Sequence, residues 1–167
     1  MRIIEYFSCD RPAYWLGEIG KSDWSAGQYL YQLLYENKLG DVAGENPKVF
    51  MLTDQDALLS FCTYTQKDDI QPTVLTPWIG FVYTFPKYRG HRYAGKLFRE
   101  IEDLAKTENV ADIFISTDHV GLYEKYGYEI YQVMRDRNGE LSRVYRKQIY
   151  DQHNHDTDGH TAGGGSL

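Results

Sequence analysis

One stretch constrains the fold more than any other, because it joins a β-prone run to a long amphipathic pattern. Residues 78–85, WIGFVYTF, are rich in β-branched and aromatic side chains and predict a strand. The basic loop PKYRGHRY follows. Beyond it, apolar residues recur at helical spacing and predict a helix: Ala94, Leu97, Phe98, Ile101, Leu104 and Ala105. Free N–H groups at a helix start, beside Arg and Gly, predict an anion pocket at this junction.

The other elements are predicted to complete a mixed α/β domain with a largely antiparallel sheet. Strands are expected in MRIIEYF, KVFMLTD, ALLSFCTYTQ, ADIFIST, YEIYQVM and LSRVYRKQI. A helix with Ser22 or Asp23 as its N-cap is expected to end near Gly40, and HVGLYEKYG is expected to be a short helix. The segment 9–27 is interpreted as rich in loops. Several strands follow one another without a crossover helix, which favours antiparallel pairing.

The domain is expected to span residues 1–150, and residues 151–167 are expected to be a flexible polar tail. The tail DQHNHDTDGHTAGGGSL has no hydrophobic periodicity. Its terminal GGGSL is also compatible with a remnant of cloning. The tail histidines lack a rigid scaffold, so no metal site is expected there: His153, His155 and His160.

Charge and composition limit the partners. The chain of 167 residues has a formal net charge of −6, which argues against nucleic acid as the main partner and favours the approach of a cationic substrate. Two cysteines provide no disulfide framework. The N-terminal apolar run is too short for a signal peptide, and no stretch is long enough to span a membrane. We therefore expect a cytoplasmic protein without a membrane partner.

Two motifs together indicate a family. The strand at 78–85 is followed by PKYRGHRYAGKL, and further on comes IFISTDHVGLYEKYGY. In this order the segments resemble the GNAT superfamily of acetyl-CoA-dependent N-acetyltransferases. That family has a pyrophosphate loop of the form Arg/Gln-x-x-Gly-x-Gly/Ala, usually after Pro-x-Tyr, and a second signature Leu-Tyr-Glu-Lys-x-Gly-Phe/Tyr. The first is matched by Pro86, Tyr88, Arg89 and Ala94, and the second by residues 122–128.

The resemblance implies a fold and a set of cofactor contacts. It implies a GNAT-like sheet in which the strand before the cofactor loop splays from its neighbour. The free backbone of that strand is then expected to bind pantetheine, and the loop to hold the pyrophosphate of acetyl-CoA. The residues implied are Val82, Tyr83, Thr84, Arg89, Gly90, His91, Arg92, Tyr93, Ala94 and Gly95.

Arg92 departs from the family pattern, since Gly usually occupies this position of the loop. A side chain here is expected to crowd a backbone that approaches a diphosphate. The alternative is that Arg92 points outward and adds a charged contact to a phosphate.

The resemblance also suggests how protons move. Tyr123 matches the position of the family's general acid, which protonates the departing sulfur. The general base is less defined by the sequence. His119 is a candidate because histidine is a common general base, Asp118 is interpreted as a helix N-cap, and a chain of waters is the alternative to either.

The resemblance therefore implies an acetyltransferase that acts on a primary amine of a small cationic molecule. Protein acetylation at an N-terminus or a lysine is an alternative, and a non-catalytic sensor of acyl-CoA is an alternative of another class. Acetyl-CoA and an amine are the expected partners, a homodimer is compatible with the sequence, and no metal is expected.

Overall fold

A computed structural model describes residues 1–149 of the chain. Within this range the α-helices are α1 (Pro12–Ile19), α2 (Ser25–Tyr35), α3 (Leu39–Ala43) and α4 (Tyr93–Thr107). The strands are β1 (Arg2–Glu5), β2 (Lys48–Asp54), β3 (Ala57–Thr65), β4 (Trp78–Thr84), β5 (Asp112–Thr117), β6 (Glu129–Arg135) and β7 (Leu141–Gln148). Short 3₁₀ helices occupy Tyr6–Ser8, Pro86–Tyr88 and Tyr123–Tyr126.

These strands form one sheet in the order β1-β2-β3-β4-β5-β7-β6. All neighbouring pairs are antiparallel except β4 and β5, which run parallel. The crossover between those two strands contains α4, as a parallel connection requires. The predicted mixed and largely antiparallel sheet is confirmed.

Strand β4 separates from β5 almost at once, as predicted. The two strands are paired only at Trp78 and Phe114. The register between β3 and β4 shifts between Phe61 and Thr63, and on the opposite strand Phe81 adopts a φ of 50°. Such a bulge inserts an extra residue and increases the local twist. It therefore turns the rest of β4 away from β5 and opens a gap between the two strands.

Helices cover both faces of the sheet and bury an apolar core on each. On one face, α4 contributes Leu97, Phe98 and Ile101 to a core that also contains Tyr123. On the other face, α1 and α2 contribute Trp15, Ile19 and Leu30. Side chains alternate between these two faces along β3, so Cys62 belongs to the first core and Phe61 to the second.

The structure corrects the sequence predictions at several helix boundaries. The segment interpreted as loop-rich contains α1, which begins at Pro12, a favourable first position for a helix. The N-cap of α2 is Trp24, whose side chain forms no capping hydrogen bond, so neither Ser22 nor Asp23 has that role. Gly40 does not end that helix but lies inside α3.

A second group of corrections concerns the C-terminal half of the chain. The short helix predicted in HVGLYEKYG is a 3₁₀ helix whose N-cap position is Leu122, so Asp118 does not cap it. The predicted tail and its three histidines lie outside the described residues.

Candidate active site

A cavity of about 570 Å³ lies beside the open part of β4. Three parts of the chain form its wall: the end of β4, the loop that leads into α4, and the 3₁₀ helix Tyr123–Tyr126 with the residues before it. The segment between α1 and α2 closes one side. The lining residues are Asp23, Trp24, Val82, Tyr83, Thr84, Tyr88, Arg89, Gly90, Arg92, Tyr93, Ala94, His119, Leu122, Tyr123 and Tyr126.

Strand β4 offers backbone donors to this cavity. The N–H of Phe85 donates to the carbonyl of Leu59, and Tyr83 is in register with Phe61, so these odd-numbered residues face β3. In an antiparallel pair the intervening residues direct their N–H groups to the opposite side. Val82 and Thr84 therefore direct theirs into the gap where β5 has separated. Such groups can bind a ligand with amide carbonyls.

The loop before α4 provides a second set of donors. In the part of the chain that the structure describes, no backbone N–H from residues 90–94 donates a hydrogen bond within the protein. These amides surround the start of α4, where the helix dipole favours negative charge. The guanidinium of Arg89 is anchored beside them, because its Nε donates to the Thr84 carbonyl at 2.9 Å. This arrangement is suited to a diphosphate.

Arg92 occupies the left-handed region at φ 57° and ψ 35°. The position therefore has the backbone conformation that glycine adopts most easily, which explains in physical terms why glycine would be favoured there. The Arg92 side chain is exposed at the mouth of the cavity and does not cap α4. The loop accommodates the side chain at the cost of backbone strain.

Tyr123 is the most buried side chain of its 3₁₀ helix, with 6% of its surface exposed. Burial raises the pKa of its hydroxyl, and the nearby carboxylate of Asp68 raises it further. A hydrogen bond with Thr117 acts in the opposite direction and lowers this pKa. The phenol therefore stays protonated across the neutral range and can donate a proton into the gap.

The structure brings most, but not all, of the sequence-predicted site residues to the cavity. His119 lines it, with its backbone N–H bonded to Thr117 Oγ1 at 3.0 Å. His91 does not line it and instead stacks on Tyr93, with ring centroids 5.2 Å apart. Gly95 is buried beneath the ring of Tyr126, which would collide with any added Cβ. Gly95 therefore permits helix packing rather than opening the cavity.

Asp23 and Trp24 form a wall of the cavity that the sequence did not indicate. Asp23 accepts a hydrogen bond from the Tyr83 hydroxyl at 2.5 Å. The Trp24 ring stacks on the Tyr83 ring, with centroids 5.7 Å apart and planes 6° from parallel. A carboxylate next to stacked aromatic rings can attract an organic cation. No sequence motif marks this wall, which forms only when the segment before α2 packs on β4.

The family model described as the acetyltransferase (GNAT) family matches residues 4–128. The chain belongs to the GNAT acetyltransferase family. This span covers the sheet from β1 through the 3₁₀ helix with Tyr123, and the resemblance inferred from the two motifs is confirmed. No curated protein sequence matches the chain.

Solved structures share this GNAT fold at low sequence identity. An aminoglycoside 6'-N-acetyltransferase complexed with coenzyme A is 14% identical, with a TM-score of 0.64 over 91% of this chain and 99% of that one. An aminoglycoside 6'-N-acetyltransferase from Enterococcus faecium is 15% identical, with a TM-score of 0.61 over the same shares. An acetyltransferase from Streptococcus agalactiae is 18% identical, with a TM-score of 0.56 over 88% of this chain and 97% of that one.

Family and fold together make this GNAT protein an acyltransferase whose fold binds acetyl-CoA and an acceptor. Within residues 1–149 no helix combines the length and hydrophobicity that crossing a bilayer requires. In the same range no cluster of three or more His, Cys, Asp or Glu side chains could hold a metal ion.

Proposed function

We propose that this protein transfers the acetyl group of acetyl-CoA to a primary amine of a small cationic molecule. The observation that carries the proposal is the composition of one cavity. The free amides of β4 and of the loop, the protonated hydroxyl of Tyr123, and the Asp23–Trp24 wall all line the same space. Anion binding, proton donation and cation binding are therefore available at adjoining surfaces.

The cofactor would lie along β4 with its diphosphate at the start of α4. Val82 and Thr84 have backbone donors for the pantetheine amides, while residues 90–94 and the guanidinium of Arg89 have donors for the diphosphate. Arg92 is exposed at the same end and adds positive charge. When bound, acetyl-CoA supplies the activated acetyl group. The chain's residues hold it and orient the thioester carbonyl towards the gap.

Tyr123 would protonate the sulfur that leaves when the thioester breaks. Its hydroxyl is buried, lines the cavity and has a raised pKa. A thiolate is a better leaving group when a proton is delivered to it as the carbon–sulfur bond breaks. The raised pKa keeps that proton on Tyr123 until it is needed.

The negative charge of Asp23 favours the binding of a cationic acceptor over a neutral one. Its exposed carboxylate lies beside the half-buried Trp24 at the side of the cavity that the cofactor amides leave open. The net charge of −6 would favour the approach of the same class of molecule. Three of the structural neighbours are aminoglycoside acetyltransferases, whose acceptors carry several amines. Polyamines and amino sugars are therefore the first acceptors to test.

A thiol-release assay with acetyl-CoA and a panel of amines tests the proposal. The panel contains spermidine, kanamycin, a lysine-containing peptide and a peptide with a free N-terminus. We expect turnover with the small cations. Turnover with the peptides alone would replace the proposal with protein acetylation, and binding of coenzyme A without any turnover would replace it with a sensor.

Asp23→Asn tests the acceptor wall separately. The amide keeps an acceptor oxygen for the Tyr83 hydroxyl but removes the charge, so we expect KM for the cationic amine to rise about tenfold while kcat changes little. Asp41→Asn is the matched control, because Asp41 is an exposed acid on α3 outside the cavity. An unchanged KM in Asp23→Asn would remove this wall from the acceptor site.

A further inference from the structure

The carboxylate of Asp68 lies over Gly80 and is not used by the cofactor contacts. Asp68 belongs to the connection between β3 and β4, and its side chain turns back onto the sheet. A Cβ placed on Gly80 would lie 2.5 Å from Asp68 Oδ1. Because Gly80 has no side chain, the carboxylate of Asp68 has room to lie against β4.

A second polar group is directed at the same space. Thr63 is paired with Gly80 across β3 and β4, and its Oγ1 would lie 3.2 Å from the same added Cβ. The Thr63 side chain is 1% exposed, and its hydroxyl has no hydrogen-bond partner among the described residues. Buried hydroxyls are rarely left without a partner. The carboxylate and the hydroxyl together form a small polar site that fits a group with several N–H donors.

This site lies just outside the lining of the cavity, next to the point where β4 leaves β5. Gly80 immediately precedes Phe81, the residue at the bulge, and is two residues from Val82. Two residues of a strand span about 7 Å. Thr63 and Cys62 direct their side chains to opposite faces of the sheet, so Asp68 approaches the gap from the face opposite α4. Its charge nevertheless contributes to the raised pKa of Tyr123, which lies on the α4 side.

The backbone that carries Asp68 is held in place by contacts with three other parts of the structure. The N–H of Lys67 donates to the carbonyl of Ala43 at 2.9 Å. Thr76 Oγ1 donates to the carbonyl of Gln66 at 2.8 Å, across the connection itself. From the turn between β6 and β7, Arg137 donates from its backbone N–H to the carbonyl of Asp69 at 2.9 Å. A carboxylate on a fixed backbone can be presented to a substrate in one geometry.

We propose that Asp68 is the general base that removes a proton from the acceptor ammonium, a role that rests on the proposed function. The ammonium gives one proton, through a bridging water, to an Asp68 carboxylate oxygen, and the freed nitrogen lone pair forms a bond to the thioester carbon. The carbon–sulfur bond then breaks with its electron pair on sulfur, which takes the Tyr123 proton. The surplus proton on the new amide nitrogen restores Tyr123, and Asp68 releases its own to solvent. Ammonium and thioester thus give amide, thiol and one proton.

The electrostatic surroundings fit this role. Burial raises the pKa of Asp68 to about 7, and the charge of Asp69 acts in the same direction. The backbone N–H of Asp69 and the charge of Arg137 lower it in part. Among the described residues, Asp69 and Arg137 act on this carboxylate, and the carboxylate in turn acts on Tyr123. A base whose pKa lies near the working pH combines availability with driving force.

The test compares Asp68→Asn, Asp69→Asn and His119→Gln with wild type in thiol-release assays from pH 5.5 to 9, using spermidine and kanamycin as acceptors. Asp69 is the neighbouring control: its side chain is 71% exposed, and loss of its charge should keep kcat and only move the acidic limb to lower pH, because that charge contributes to the raised pKa of Asp68. For Asp68→Asn we expect kcat to fall by about 10²–10⁴-fold. We also expect the fall of kcat below about pH 7, the acidic limb of the pH–rate profile, to disappear. The Kd of coenzyme A, measured by calorimetry, should stay within twofold of wild type.

The outcomes separate this inference from the function on which it rests. If wild type turns over neither amine, the proposed function is refuted and the base with it. If wild type is active and Asp68→Asn retains its rate and its acidic limb, Asp68 is not the base although the function stands. Loss of the limb in His119→Gln alone would likewise assign the base to His119. Loss of the limb and of kcat in Asp68→Asn alone supports the proposal.

Discussion

Replacing Asp68 with Asn should make the protein more stable above neutral pH. Burial raises the pKa of Asp68 from 3.8 to about 7 in the folded chain, whereas in the unfolded chain the carboxyl ionises near its ordinary value. The folded state therefore holds a proton that the unfolded state has lost. The stability that this group provides is complete below pH 3.8 and is lost as the pH rises to about 7. This pKa difference of about 3 between the folded and unfolded chain corresponds to a loss of unfolding free energy of about 4 kcal/mol at most. About 2–3 kcal/mol of that loss falls between pH 5 and 8.

Urea unfolding of wild type and Asp68→Asn at several pH values between 5 and 8.5 measures this effect. Asparagine has no titrating group, so the difference in unfolding free energy between the two proteins should grow in favour of the variant as the pH rises. Asp69→Asn, at the exposed neighbouring position, should show a much smaller growth, because it removes only the part of the raised Asp68 pKa that the Asp69 charge contributes. A constant difference across the pH range would show that Asp68 ionises normally, and the proposed base would then lose its electrostatic support.

Three further substitutions test the cavity. Tyr123→Phe should lower kcat by about 10²–10⁴-fold without weakening coenzyme A binding or moving the pH–rate profile below pH 9. The control Tyr126→Phe, in the same 3₁₀ helix, should keep most of its activity. Equal rates in the two variants would make Tyr123 a packing residue. Arg89→Glu should weaken coenzyme A binding by about 1.5–3 kcal/mol in calorimetry, and an unchanged Kd would exclude the loop as the diphosphate site. Arg92→Gly should raise the unfolding free energy by up to about 1 kcal/mol, because relief of the strain at a positive φ outweighs the entropy cost of glycine. The control Arg99→Gly, inside α4, should lower the unfolding free energy by about 1 kcal/mol. A loss of stability in Arg92→Gly would show that the backbone at position 92 is not strained.

The sheet was predictable because its signals are local. Each strand is a short run of β-branched and aromatic residues bounded by turns, and α4 shows its apolar stripe over four turns. Helix α1 was missed because Gly17 and the flanking polar residues obscure its periodicity, although Pro12 at its first position was an available signal. The caps of α2 were mistaken because Trp24 is fixed by stacking on Tyr83, which is a tertiary contact.

The residues of the candidate site also fall into two groups, those that local sequence motifs indicate and those that they do not. The loop and Tyr123 lie within contiguous motifs, so the sequence could indicate them together. Asp68 lies in a connection with two prolines, where an acid is ordinarily solvated. Its place against the sheet depends on the missing side chain of Gly80 in the next strand, a space that the hydroxyl of Thr63 in the preceding strand also faces. No pattern within one segment carries that information.

The complementarity of Asp68 and Gly80 implies that the two positions are linked in descent. A carboxylate from the connection can occupy its place only if β4 has no side chain there, since even a methyl group at position 80 would overlap Oδ1. A side chain at position 80 must therefore displace the carboxylate of residue 68 from this place. Glycine at position 80 without an acid at position 68 meets no such obstacle. Proteins that diverged from this chain and kept the acid at this place should consequently also have kept glycine at position 80.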